Sequence, residues 1–542
     1  MASSSRKQVA WLIGATLAML APFLGKPPNV DDALFYWAAK HIAVAPLDPF
    51  GFDVNWYLTS MPMAEVTKNP PGASYLMAAA GLLLGWSPVA LHLVFLVPAV
   101  CVVVGTWALA RRLSSRPLLA GVLVLASPGF VTSATTLMSD VPMLALSIGA
   151  LVLWIDGIEQ SRTSLLLAAV SLATACVLTK YLGAYVVGLF VIYGVMRRGV
   201  GWWALSLLVL PLAVLAYEAW SASQYGAGFL GQAVSYATTE DTAASFENRL
   251  VALAYLGGAT LFVAPLVFSV SHPALGIGGA AAGLAAAAAL LASGGSWWEN
   301  GRHATDLTTI AVYFGVFVAS GVVAVALAGI DVWRRRDTSA VLLLAWIVGV
   351  IVFAAFLNWT SNVRSVLPAV PAVAILLGRA ANDRLATAPL PLSARLGTAL
   401  CIALGLWVAW GDYELARAQV RAADVVRSRA SGRQGVVWFL GHWGFQVAME
   451  SFGARPVDAN STVFHAGDWI LVPANNTNVV PLPAEMPVRR DSFDVALRGG
   501  GTTISSRRGA GFYSSVWGPL PYRIEPPSPE RFTIVEVAQP TN

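Results

Sequence analysis

Apolar residues fill this chain in long runs from residue 9 to about residue 411, parted by short polar or basic stretches. Most runs are long enough, at 1.5 Å per helical residue, to cross a hydrocarbon core about 30 Å thick. The period-two alternation of an outer-membrane barrel is not the pattern here. The pattern predicts an all-α polytopic membrane domain.

Basic residues fix the expected topology. They gather between runs, at Arg111, Arg112 and Arg116, at Arg197 and Arg198, at Arg334 to Arg336, and at Arg379, Arg384 and Arg395. Placing these loops inside, as the positive-inside rule requires, sets the other crossings by parity. The first run, Trp11 to Gly25, exits and leaves residues 26–71 outside. The short stretch 72–86 lies along the interface or dips without crossing, and 89–110 returns inside. Spans follow at 117–137 and 141–156, then a hairpin of two short helices over 164–196 that turns near Lys180. Further spans are expected at 201–220, 250–270, 274–292, 307–330, 339–357, 364–379 and 396–411. The count is about thirteen, with the N-terminus inside and the C-terminus outside. Gly279-x-x-x-Gly283 inside one run predicts close helix packing rather than a dinucleotide loop.

Residues 412–542 change character, with more Pro, Gly and polar positions. A helix over Asp412–Ala430, a strand over Val436–Leu440, a helix over Phe445–Phe452 and a strand over Trp469–Val472 fit their periodicity. The expected organisation is a membrane domain over 1–411 and a small extracytoplasmic α/β domain over 412–542.

Composition sharpens this. Charged residues make up 12% of the chain, against roughly 25% in soluble proteins. The net charge of +5 follows from the loop arginines and forms no nucleic-acid stripe. Cys101, Cys176 and Cys401 all fall in apolar runs, so no disulfide framework is expected. Gly25-Lys-Pro-Pro-Asn lacks a small-x-small cleavage pattern, and the first run reads as an uncleaved anchor.

Chemistry is expected where charge stands against this background. Asp31 and Asp32 follow the first run directly, and a carboxylate there can act as a general base toward an acceptor. Asp31 also stands where an N-cap is expected for the amphipathic stretch 33–42. Asp140 opens another span at the same face, where Ser139 or Asp140 is a natural cap before Pro142. Lys68, Lys180 and Arg364 lie on the outer side, against the inside bias, and together suit an anion such as a lipid phosphate. Glu299 and His303 share an outer loop with Trp297 and Trp298, and with Tyr36 and Tyr181 are pocket candidates. The six histidines show no zinc spacing.

Over residues 9–380 the chain resembles GT-C membrane glycosyltransferases, the family 39-like group of protein O-mannosyltransferases and lipid A aminoarabinose transferases. The resemblance rests on Asp31-Asp32-Ala-Leu-Phe-Tyr36, Lys68-Asn-Pro-Pro-Gly72, Ser139-Asp140-Val-Pro142, Leu178-Thr-Lys180-Tyr181 and Arg364-Ser-Val-Leu-Pro-Ala-Val-Pro371. It implies a GT-C fold and an inverting transfer from a polyprenyl-phosphate sugar to a protein, lipid or glycan acceptor. It also implies Asp31 as base with Asp32 and Asp140 in support, and Lys68, Lys180 and Arg364 on the donor phosphate. No cofactor beyond the lipid-linked donor is implied, and the location expected is a bacterial inner membrane. Asp32 stands where many relatives have Glu, and Asn69 separates Lys68 from the prolines. A polyprenyl-diphosphate-dependent glycan ligase or polymerase, and a lipid-linked sugar transporter or flippase, remain as alternatives.

Overall fold

A computed structural model describes residues 2–67, 69–114, 116–238 and 246–538. The protein is mostly helical, with a sheet-containing region near its C-terminus. Among the described residues, seven helices are long and apolar enough to cross a bilayer, or eight if one bent pair is counted as a span. They include Pro88–Leu113, Asp140–Gln160, Pro273–Ala292 and Leu307–Arg335. The expectation of about thirteen counted shorter pieces as well. Gly72–Leu84 and Thr163–Val177 are helical but short of a full crossing by the same measure.

Several expected spans are broken, each at a residue that ends or starts a helix. The run 117–137 divides into helices Pro117–Leu125 and Pro128–Ser133. Ser127 makes the break: its hydroxyl accepts from Phe130 N at 3.0 Å and donates to Ala259 O at 2.6 Å. The run 250–270 bends by 79° between helices ending at Ala259 and starting at Val263. At 364–379 a single turn, Val363–Val366, precedes the helix Ala369–Leu385 across Pro368. The first helix begins earlier than Trp11, spanning Ala2–Leu20. Gly283 does pack closely, since a Cβ there would lie 2.3 Å from Gly315 O on the facing helix.

Helix Leu392–Ala430 runs through residue 411 without a break. Its C-terminal half carries a five-stranded sheet. The order is Arg455–Pro456, Val437–Phe439, Trp469–Pro473, Glu530–Val537, Val488–Val495; the first two pairings are parallel and the last two antiparallel. Ala418, Ala422 and Val426 of the helix pack with Phe439, Phe445 and Phe532 in a core of their own. The expected helix near 445–452 is present as Trp443–Glu450.

Between the last two strands the chain leaves the sheet and joins the main helical core through Ile504, Phe512, Tyr513 and Tyr522. Tyr255 donates to Gly511 O and Gly518 O at 2.6 and 2.9 Å, and Tyr522 donates to Gly258 O at 2.9 Å. Val363 N donates to Phe512 O at 3.0 Å. Residues 502–523 are thereby clamped to helix Phe246–Ala259 and to the turn Val363–Val366 that carries Arg364.

A fully buried ion pair, Lys26 with Asp412, closes the same region. Lys26 also donates to Thr135 at 3.2 Å, while Asp412 accepts from Thr503 at 2.9 Å and Tyr513 at 2.7 Å. A charge left alone in such a site is costly. Lys26→Met is expected to lower stability by about 3–5 kcal/mol, read as a lowered thermal midpoint in nanodiscs; an unchanged midpoint would show that Asp412 is satisfied without the lysine.

Candidate functional site

The segment 26–71 is built rather than loose. Asp32–Ile42 is helical, and Asp53–Asn55 pairs antiparallel with Ser60–Pro62. Asp31 and Asp32 at the start of this helix face different surroundings. Asp32 is fully buried and accepts backbone N–H bonds from Asn29 at 3.0 Å and Leu137 at 2.9 Å. Burial pushes its carboxyl up to about 7, against the pull of Lys26 and the two N–H donors. Asp31 occupies the cap position but its side chain makes no cap bond. It accepts instead from Arg364 Nη1 at 2.8 Å.

Asp31, Lys180, Tyr181 and Arg364 line one cavity of about 730 Å³. That volume is in the range of small-molecule sites, about 300–1,000 Å³. Its wall draws on segment 26–71, the turn after helix Thr163–Val177, the loop before Arg364, and residues 443–517. Arg364 also lies over the Tyr513 ring, 5.5 Å from its centroid, and contacts Met138 Sδ at 3.0 Å. Lys180 pairs with buried Asp140 at 2.6 Å. Among the described residues, Arg364 Nε and Asp140 Oδ2 are buried without a hydrogen-bond partner. Burial and then the Asp31 charge push the Tyr57 hydroxyl up, in keeping with its place on the same wall.

The other sequence candidates fall as follows. Lys68 lies outside the described residues. Tyr181 donates to Glu218 at 2.8 Å, so it ties the cavity wall to helix Val209–Tyr225. Tyr36 is directed to Trp86, with ring centroids 6.0 Å apart, and the cavity wall is formed by its neighbours Leu34 and Phe35. Glu299 and His303 are exposed and do not line the cavity. The reason is Trp298, which donates to Ser506 O at 2.7 Å and holds that loop against the C-terminal segment. Among the described residues no cluster of three or more His, Cys, Asp or Glu is placed to hold a metal ion.

Sequence reasoning missed Lys26, Asp412 and Tyr513, and the whole contribution of the C-terminal region. One signal was present: Lys26 and Asp412 are isolated charges at the ends of apolar runs, where charges need partners. His442 was also missed. It stacks on Trp56, centroids 5.1 Å apart, and bonds Gln446 at 3.2 Å and Asn478 at 2.7 Å. Asn478 Nδ2 also donates to Trp56 O at 2.8 Å, so the network joins segment 26–71 to the C-terminal region beside the cavity.

The architecture is the GT-C fold of membrane glycosyltransferases. Residues 68–223 match a family described as dolichyl-phosphate-mannose-protein mannosyltransferase. ArnT from Cupriavidus metallidurans bound to undecaprenyl phosphate is similar with a TM-score of 0.53 at 12% identity, over 98% of this chain and 99% of that one. The apo oligosaccharyltransferase of Archaeoglobus fulgidus gives a TM-score of 0.50 at 15% identity, over 84% of this chain and 64% of that one. No curated protein matches the chain by sequence. At these identities the structural likeness is one of fold.

Burial pushes His442 down to about 4, while its bond to Gln446 pulls the other way. The unfolded chain therefore binds the extra proton between about pH 4 and the ordinary value near 6.5. His442 contributes stability that is complete above 6.5 and is lost as pH falls toward 4. Glu450, raised by burial and bonded to Gln446, acts with the opposite sign. Comparing thermal midpoints of wild type and His442→Gln across this range isolates the histidine. A shallower acid-side slope is expected in the variant, and equal slopes would contradict the assignment.

Proposed function

We propose that this protein is a glycosyltransferase that moves a monosaccharide from a polyprenyl-phosphate donor to an acceptor hydroxyl. The observation that carries this reading is the Asp31–Arg364 pair at 2.8 Å on the wall of a cavity, with Lys180 on the same wall. A carboxylate base and cations for a phosphate leaving group stand together there, as displacement at an anomeric carbon requires. The undecaprenyl phosphate bound by ArnT, a protein of the same fold, supports the donor class.

In this reading the donor phosphate enters beside Arg364 and Lys180. Arg364 turns part of its hydrogen bonding from Asp31 to the phosphate, and the Asp31 carboxylate is released to take a proton. The acceptor O–H then gives its proton to Asp31 while the acceptor oxygen bonds to the anomeric carbon. The bond from that carbon to the phosphate oxygen breaks, and its electron pair leaves with the polyprenyl phosphate. One displacement from the opposite side inverts the configuration. Asp140 holds Lys180, and Asp32 holds the turn that presents Asp31. Lys68 joins the phosphate-binding set.

The site belongs to the extracytoplasmic face, with the N-terminus cytoplasmic and residues 412–542 outside, in a bacterial inner membrane. The loop arginines between spans support that orientation.

The test uses purified protein in nanodiscs with a panel of polyprenyl-phosphate monosaccharides and a membrane extract as acceptor source. Mass spectrometry follows release of polyprenyl phosphate. Wild type is expected to consume one donor, and Asp31→Asn to slow turnover about 10²–10⁴-fold. Arg364→Gln is expected to raise KM for the donor as well as lower kcat. Consumption only of diphosphate-linked donors, or movement of an intact donor across the bilayer, would replace this reading.

A further inference from the structure

Away from its charged residues the cavity has a second character. Trp56 and Tyr57 from segment 26–71, Trp359 from the loop before Arg364, and Trp443 and Trp517 from the C-terminal region all line it. These aromatic rings come from three distant parts of the chain. Trp443 and Trp517 lie against each other with centroids 5.7 Å apart. Neutral polar groups are set among them, namely Asn358, Thr360, Thr477, Asn478 and Ser514. The charged residues among the described lining are Asp31, Lys180 and Arg364, and all are ion-paired.

Backbone strain gathers at the same wall. Trp443 has φ +65° and Val30 φ +47°, and both line the cavity. Leu58, beside Tyr57, has φ +65°. Bulky and β-branched residues rarely take this left-handed region, so the surrounding structure must hold them there. Such strain is retained where the placement of a side chain is needed. Trp443 is itself one of the aromatic residues of the wall, and Leu58 directly follows Tyr57.

We propose that this aromatic wall is the acceptor subsite and that it takes a neutral saccharide. A sugar ring presents an apolar C–H face and a rim of hydroxyls. An aromatic face covers the first without hydrogen-bonding loss, and amide and hydroxyl side chains both donate to and accept from the second. The aromatic part of the wall is neutral among its described residues, and in this reading the cations Lys180 and Arg364 are occupied by the donor phosphate, so a phosphate-bearing glycolipid or an acidic peptide seated there would lose hydration with no counter-charge beside it. The proposal rests on the reading of the cavity as a glycosyl-transfer site. It adds that the acceptor hydroxyl belongs to a glycan, so the class of reaction supplying the substrate is glycan assembly.

Calorimetry on the full-length protein in nanodiscs, without donor, tests it. The probes are neutral methyl glycosides and disaccharides, a serine-containing peptide capped at both ends, and glucosamine 1-phosphate. Saturable binding of at least one neutral saccharide is expected, weakened about tenfold by Trp517→Ala and largely restored by Trp517→Phe. Helix content by circular dichroism checks that each variant is folded. Three outcomes overturn the proposal: binding of the peptide or the sugar phosphate with no neutral saccharide, no binding by any probe, or saccharide affinity unchanged in Trp517→Ala. Donor turnover is absent from this assay. A failure of the polyprenyl-phosphate reading would therefore show in the mass-spectrometric test and leave this result standing.

Discussion

The buried pair of Lys26 and Asp412 is the constraint on which the rest of the site depends. Neither side chain is exposed, so each charge needs the other together with the hydroxyls of Thr135, Thr503 and Tyr513. Removing two ions from water costs several kcal/mol each, and only good geometry with further hydrogen bonds offsets it. The end of the first helix, the middle of the long C-terminal helix and the returning segment 502–523 must therefore meet at one place. Tyr513 passes that constraint on. Its hydroxyl bonds Asp412, its ring lies under Arg364, and Arg364 reaches Asp31.

Adjacent aspartates divide the work at this junction. Asp32 turns inward and spends both carboxylate oxygens on backbone N–H groups, which fixes the turn between the first helix and helix Asp32–Ile42. Asp31 is left to face the cavity, about a third exposed, with its partner Arg364. Because Arg364 keeps an unpartnered Nε among the described residues, its hydrogen-bonding capacity is not exhausted by Asp31. An arginine with spare donors beside a carboxylate is suited to sharing itself with an incoming phosphate. Lys180, held by Asp140 at 2.6 Å, adds a second positive charge whose own carboxylate is buried away from the opening.

The membrane class and the positions of most helices were legible because apolar length and the arginine loops report them directly. Helix breaks were less so. Ser127-Pro128 reads as an ordinary cap signal, but a run of apolar residues on both sides hides it within one apparent span. The acidic pair and Arg364 stood out because charge is scarce in this chain, and the structure brings Asp31 and Arg364 within hydrogen-bond distance. Lys180 was legible as a charge at a hairpin turn, and helix Thr163–Val177 does end just before it. Tyr36 and the Glu299 loop misled, since their orientation is set by Trp86 and by Trp298, contacts with no trace in local sequence. The C-terminal contribution was illegible for the same reason. Tyr513 and Trp517 reach the cavity only because the chain leaves its sheet after Val495 and returns for the strand Glu530–Val537, and Asn478 reaches it from the loop between strands Trp469–Pro473 and Val488–Val495.

Equilibrium binding of polyprenyl phosphate to wild type and Asp31→Asn, in nanodiscs and without sugar donor, shows whether Asp31 and the phosphate compete for Arg364. If Asp31 and the phosphate share Arg364, removing the aspartate charge frees the arginine, and binding is expected to be tighter in a variant that has lost turnover. Weaker binding in Asp31→Asn would contradict it, and would make Asp31 part of the donor anchor rather than the group that the phosphate releases to act as base.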